Sequence, residues 1–167
     1  SIENRLFKST DDGSSWIEVA SGLFSNEPVS CLTVNNESGR LYAGVNIINS
    51  GGKIYMSDDG GINWTSIFNA GFEISHITIF EGYIYAQSNF LYSASESEFQ
   101  WSQVNNTNTN DFVVTESGVL YAPQQWGMLH ATTDFGSTWS PAYDVNTRHG
   151  VRAICRDEVN DILFIAN

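Results

Sequence analysis

One eight-residue spelling recurs along the chain and constrains its fold more than any other feature. It reads Ser57-Asp58-Asp59-Gly60-Gly61-Ile62-Asn63-Trp64, and earlier Ser9-Thr10-Asp11-Asp12-Gly13-Ser14-Ser15-Trp16. A third copy is Thr132-Thr133-Asp134-Phe135-Gly136-Ser137-Thr138-Trp139. A worn copy, Ala94-Ser95-Glu96-Ser97-Glu98-Phe99-Gln100-Trp101, has Glu for Asp and no glycine. The rule is Ser/Thr-x-Asp-x-Gly-x-(small polar)-Trp. Its tryptophans stand 48, 37 and 38 residues apart, and a period of about 40 belongs to propeller blades or arrays of small units.

Each residue type in the octet has a physical task. Glycine takes positive φ without steric cost where two strands must reverse. The Asp carboxylate and the Ser/Thr hydroxyl bond nearby loop backbone and pin the turn. The Trp opens the next strand and contributes a large ring to the layer between units.

Around the octets the chain reads as short strands rich in Tyr, Phe, Ile, Val and Thr, punctuated by Gly and Asn, with no helical period. Residues 1–20 form a half-blade, with a strand at Leu6-Phe7-Lys8 and another at Trp16-Ile17-Glu18-Val19. A polar connector, residues 21–28, follows. Complete blades are predicted over about 29–68, 74–104 and 111–143, and residues 151–167 form a closing half-blade. The second strand repeats as aliphatic, aromatic, small: Leu41-Tyr42-Ala43, Ile84-Tyr85-Ala86 and Leu120-Tyr121-Ala122. This sets the register independently of the octet. The front supplies strands three and four of a blade and the back strands one and two, so pairing the ends would complete one blade and cover exposed edges. Closed within one chain the ring has four blades, and closed between two copies, as a homodimer, eight. A third reading makes the chain a segment of a longer propeller.

The octet resembles the Asp-box, or bacterial neuraminidase repeat, of sialidase-type β-propellers. The resemblance implies an all-β propeller of four-stranded blades, with the box at the turn between the third and fourth strands, away from the binding face. It assigns a structural role to Ser9, Asp11, Gly13, Trp16, Ser57, Asp59, Gly60, Gly61, Trp64, Trp101, Thr132, Asp134, Gly136 and Trp139. Sialidase chemistry would also need three convergent arginines, a Tyr/Glu nucleophile pair and an acid Asp. The first arginine usually stands in an Arg-Ile-Pro-like motif, whereas Arg5 is followed by Leu6 and Phe7. The arginines are few, and the chain is about half the length of such an enzyme. A non-catalytic binding or scaffolding module is therefore expected. A fragment or homolog of a propeller glycosidase is the alternative, and a segment of an assembly factor or receptor that binds protein is the third class.

With 7 basic and 19 acidic residues the net charge is −12, which argues against nucleic acid and anionic membrane as partners. No apolar run approaches the length of a membrane span. The acidic, Asn/Ser/Thr-rich, Lys-poor composition favours a secreted or cell-surface protein. Cys31 and Cys155 read as two buried free thiols, with a disulfide joining the ends as the alternative. His76, His130 and His149 share no metal-ligand spacing, and His130 takes the aromatic place of Phe7, Tyr55 and Tyr92. The Asp pairs of the octets lack the ligand series of a calcium loop. No cofactor or metal is implied.

The face opposite the octets should bind the ligand, a glycan or a protein. It gathers residues 46–52, 87–90 and 123–127 with the connectors 21–28, 69–73, 105–111 and 144–150. Trp126, beside Gln124 and Gln125, suits a sugar-stacking platform and reads equally as a ring packed over a blade edge. Tyr143, Arg148 and His149 lie near the same rim and suit carboxylate or sugar recognition, a solvated loop being the plainer reading. Carboxylates for a glycosidase pair could come from Asp111, Asp144, Asp157 or Glu158. In an acid-rich chain such candidates carry little weight. Asn36, Asn63 and Asn105 begin glycosylation sequons.

Overall fold

The computed structural model describes residues 4–20, 23–24, 27–47, 49–105, 109, 111–123, 128–144 and 151–166. All of its regular elements are antiparallel strands. The chain forms two compact units, residues 1–79 and 80–167. No helix among the described residues is long and apolar enough to cross a membrane.

In the first unit, β1 (Leu6–Lys8) and β2 (Ile17–Val19) pair as a two-stranded sheet with Leu6 opposite Val19. A meander follows: β3 (Val29–Val34), β4 (Leu41–Ile47), β5 (Gly51–Ser57) and β6 (Thr65–Ala70), paired in chain order. Its core joins Phe24, Ala43, Val45 and Tyr55, with Leu6, Val29 and Trp64 packed against them. Phe24 meets Tyr55 edge-on at 5.7 Å between ring centres and Trp64 at 5.6 Å. Burying that one ring stabilises the unit by roughly 1.5–3 kcal/mol. The connector 21–28 is thus not simply polar: Phe24 anchors it in the core.

β7 (His76–Phe80) runs from the first unit into the second and starts the next four-stranded sheet, with β8 (Tyr83–Gln87), β9 (Leu91–Ser95) and β10 (Ser102–Gln103). The third consists of β11 (Val113–Val114), β12 (Leu120–Pro123), β13 (Met128–Thr132) and β14 (Ser140–Asp144). Tyr85, Leu91, Phe112, Leu120 and Ala122 form the core of the second unit, flanked by Val104 and Trp139. β15 (Ala153–Asp157) and β16 (Ile162–Ala166) pair as a last two-stranded sheet. These chain-ordered meanders are propeller blades.

Two expectations change. Residues 46–52 are largely strand, since β4 and β5 pair out to Ile47 opposite Gly51. Small residues there admit a neighbour: a Cβ on Gly52 would fall 2.8 Å from Ile74 Cγ1. Finally, both thiols are free, but Cys31 is only half-buried and Cys155 is exposed, because β15 presents it on an uncovered face.

Candidate functional site

The octets at 57–64 and 132–139, with the worn copy at 94–101, occupy the reversal between the third and fourth strands of their sheets, and the octet at 9–16 joins β1 to β2. In the second copy, Ser57 Oγ donates to Asp59 Oδ1 at 2.9 Å and accepts from the Gly61 N–H at 2.9 Å. The Asp59 carboxylate accepts the Asn63 N–H at 2.9 Å and Asn63 Nδ2 at 2.7 Å. Trp64 Nε1 returns to Gly61 O at 2.9 Å. Ser9, Asp11, Gly13, Ser15 and Trp16 repeat the pattern, as do Thr132, Asp134, Gly136, Thr138 and Trp139. The residue before the glycine is left-handed each time: Asp12 at φ 53°, Gly60 at 74° and Phe135 at 57°.

These bonds hold the three carboxylates at pKa values of about 2. The first cause is the Ser15 hydroxyl for Asp11, the Asn63 N–H for Asp59 and the Thr132 hydroxyl for Asp134. Such carboxylates are spent on their turns. Among the described residues no group of three or more His, Cys, Asp or Glu is arranged around a metal position.

The worn copy departs from its alignment. Ala94 keeps the first place in the sheet register, opposite Ile84, as Ser57 is opposite Leu41. The capping hydroxyl is the next residue, Ser95, whose Oγ lies 2.7 Å from Ser97 Oγ. Ser97 therefore stands where the other turns have Asp, and Glu96 is buried instead. Phe99, at φ 53°, makes the left-handed reversal without glycine.

The opposite ends of the sheets carry a second set of polar contacts. Glu27 Oε1 lies 2.7 Å from Lys53 Nζ, and the Tyr55 hydroxyl donates to Glu27 Oε2 at 2.7 Å. The Lys53 ammonium also sits 5.7 Å from the Tyr55 ring centre. The bond to Glu27 raises the Lys53 pKa. Burial, then the bond to Glu27, raises that of Tyr55. The hydroxyl is thus held protonated as a donor, the reverse of what a phenolate nucleophile needs. This trio clamps the connector to β5. It was not legible in the sequence, where Glu27 is one acid among many.

Further connectors are held by similar means. Asn46 Oδ1 accepts the Ile74 N–H at 2.8 Å, and Ser30 Oγ lies 2.6 Å from Ile74 O. Gln87 Nε2 donates to Thr109 O at 2.7 Å. Asp111 accepts the N–H groups of Phe112 at 2.9 Å and Ile154 at 3.0 Å. Asp157 accepts the Val159 N–H at 2.9 Å and Asn160 Nδ2 at 2.7 Å, which pins its own turn. Two of the carboxylates considered for catalysis are therefore engaged in holding backbone.

Of the six ligand-binding candidates, Tyr143 is described; Gln124, Gln125, Trp126, Arg148 and His149 lie outside the described residues. Tyr143 is 61% exposed on β14, opposite Leu129. Met128 faces Asp144 one step further on. Pro123, Met128 and Asp144 thus lie at one end of this sheet, the end away from Thr132.

No family model matches the chain, and no curated protein matches it in sequence. Solved structures do resemble it. A GH74 xyloglucanase from Xanthomonas campestris is 18% identical with a TM-score of 0.74, over 92% of this chain and 31% of its own. YCF48 bound to D1 peptide is 17% identical with a TM-score of 0.68, over 98% of this chain and 55% of its own. The Dos1 propeller is 12% identical with a TM-score of 0.68, over 92% of this chain and 42% of its own. The chain spans from just under a third to somewhat more than half of the length of these proteins, and what they share with it is the β-propeller fold.

Proposed function

We propose that this chain is a non-catalytic binding or scaffolding module of an Asp-box propeller, secreted or surface-exposed, that recognises a glycan on the face opposite the octets. The observation that carries this reading is Tyr143. Its ring is 61% exposed on β14, one residue before the strand ends at Asp144. In sequence the adjoining segments bring Trp126 and Arg148, and aromatic, amide and guanidinium groups supply the stacking and bidentate hydrogen bonds that sugars and sugar acids need. The engagement of Asp111 and Asp157 with backbone favours binding over glycoside cleavage.

The test is binding of the chain to a glycan array, followed by titration of the strongest hit. Tyr143→Ala and Trp126→Ala are expected to weaken binding at least tenfold with an unchanged unfolding midpoint. Glycan binding untouched by either variant, turnover of an aryl glycoside, or capture of peptides but no glycan would overturn the reading.

A further inference from the structure

Three asparagines begin the triplet that N-linked glycosylation reads, and the fold treats them differently. Asn36-Glu37-Ser38 stands in the turn between β3 and β4. Asn63-Trp64-Thr65 closes an octet and opens β6, and Asn105-Asn106-Thr107 follows β10. A glycan needs a side-chain amide that reaches solvent and that the fold does not use for itself.

Asn36 meets both conditions. Its turn is built by the residues around it. Asn35 Oδ1 accepts the N–H groups of Glu37 at 2.8 Å and Ser38 at 3.2 Å. The Asn35 main chain accepts the Gly39 N–H at 2.8 Å and donates to Arg40 O at 2.9 Å. Gly39, at φ 74°, completes the reversal. Asn36, Glu37 and Ser38 are all exposed, so the triplet is presented whole on a turn that the Asn36 side chain does not hold. Exposure belongs to this kind of turn. Glu81 and Gly82 between β7 and β8 are exposed, and so are Glu116 and Ser117 between β11 and β12, where β15 lies alongside.

The other two amides are committed. Asn63 gives Asp59 both its N–H, at 2.9 Å, and its Nδ2, at 2.7 Å. A sugar would replace a hydrogen on a nitrogen already packed against a carboxylate, beside a Trp64 ring that rests on the first unit's core. Asn105 is 4% exposed. Its Oδ1 accepts the Leu91 N–H at 3.2 Å, and its carbonyl accepts Gln103 Nε2 at 2.7 Å. A glycan at Asn105 would be incompatible with that burial.

We propose that Asn36 is the N-glycan acceptor of this chain and that Asn63 and Asn105 stay bare. The proposal rests on the reading of the protein as secreted or surface-exposed. The donor is an oligosaccharide linked through pyrophosphate to a membrane lipid. Asn36 Nδ2 forms a bond to the first sugar carbon as the bond from that carbon to the pyrophosphate oxygen breaks. One amide proton is lost, and the lipid pyrophosphate leaves. The turn lies at the octet end of its sheet, because Leu41 pairs with Ser57. The glycan therefore stands at the end away from the face proposed for the ligand.

The test is secretion of the full chain from cultured mammalian cells behind a cleavable signal peptide. Peptide N-glycosidase should lower its mass by one glycan and convert a single asparagine, position 36, to aspartate in the peptide mass spectrum. Asn36→Gln and Ser38→Ala should each abolish the glycan with an unchanged unfolding midpoint, and Ser38→Thr should retain it. Thr65→Ala, which destroys the Asn63 triplet, should leave the glycan in place. The signal peptide supplies the secretory route, so a bare Asn36 counts against the acceptor rather than against the location. A bare Asn36, a glycan at Asn63 or Asn105, or a glycan that survives Ser38→Ala would overturn the proposal.

Discussion

Asp59 and Asn63 hold each other twice: the carboxylate accepts both the Asn63 N–H, at 2.9 Å, and its side-chain amide, at 2.7 Å. Ser15 and Thr138 repeat the relationship through hydroxyls, to Asp11 at 2.5 Å and Asp134 at 2.6 Å. The seventh place of the octet is therefore small and polar because it closes a ring on the third, and the turn is fixed by side chains on the surface rather than by a buried core.

That ring makes stability depend on acid in a defined window. Asp11, Asp59 and Asp134 titrate near 3.8 when unfolded and at about 2 in the folded chain. A depressed carboxylate stabilises fully above the unfolded value, and the contribution is lost as pH falls through the folded one. The unfolding midpoint should hold down to about pH 4 and fall between about 4 and 2. Replacing all three by Asn should lower the midpoint at neutral pH and flatten the acid limb, as measured by circular dichroism melts.

The glycines of the turns are not equivalent to glycines elsewhere. Gly136 has φ 91°, and a Cβ there would lie 2.5 Å from Val104 Cβ. Gly39 has φ 74°, but a Cβ would meet nothing within 4 Å. Gly39→Ala pays only for the left-handed backbone, about 1–2 kcal/mol. Gly136→Ala adds overpacking of similar size and should cost about 2–5 kcal/mol. Urea unfolding of the two variants checks the ranking, and equal losses would contradict it.

The tryptophans make a second ranked pair. Trp139 Nε1 donates to Gly136 O at 3.1 Å and also approaches Val104 O, while its ring packs on the second unit's core. Trp16 donates to Gly13 O at 3.1 Å, and its ring is 62% exposed. Trp139→Phe leaves carbonyls without their donor and should cost about 1–2 kcal/mol. Trp16→Phe should cost less than about 1 kcal/mol, because water replaces the lost bond. The same denaturation experiment reads both.

What was legible in the sequence followed from local chemistry. The octets, the strand order and the Leu41-Tyr42-Ala43 register all rest on spacing and side-chain type, and they locate the blades. The worn turn misled because its Ser95 and Ser97 act one place further along than the spelling suggests. The connector 21–28 misled because Phe24 and Glu27 are read correctly only once Tyr55 and Trp64 are seen above them. Long-range burial is a property of what packs over a residue, and nothing in a polar octet of connector residues announces it.

The clamp of Glu27, Lys53 and Tyr55 predicts behaviour at the other end of the pH scale. The bond to Glu27 raises the pKa of Lys53, and burial, then Glu27, raises that of Tyr55. A group whose folded pKa lies above its unfolded value stabilises fully below the unfolded one, and loses that contribution as pH rises through the folded one. Stability should therefore decline as pH climbs past the ordinary values of 10.0 for tyrosine and 10.5 for lysine. Glu27→Gln removes the charge that favours the ammonium and keeps the size of the side chain, so Lys53 should titrate lower, stability at neutral pH should fall and the alkaline decline should shrink. Titration of the Lys53 side chain by NMR, beside alkaline melts of both proteins, reads the two effects separately. A Lys53 titration indifferent to the substitution would mean that the 2.7 Å contact between Glu27 and Lys53 does not persist in solution.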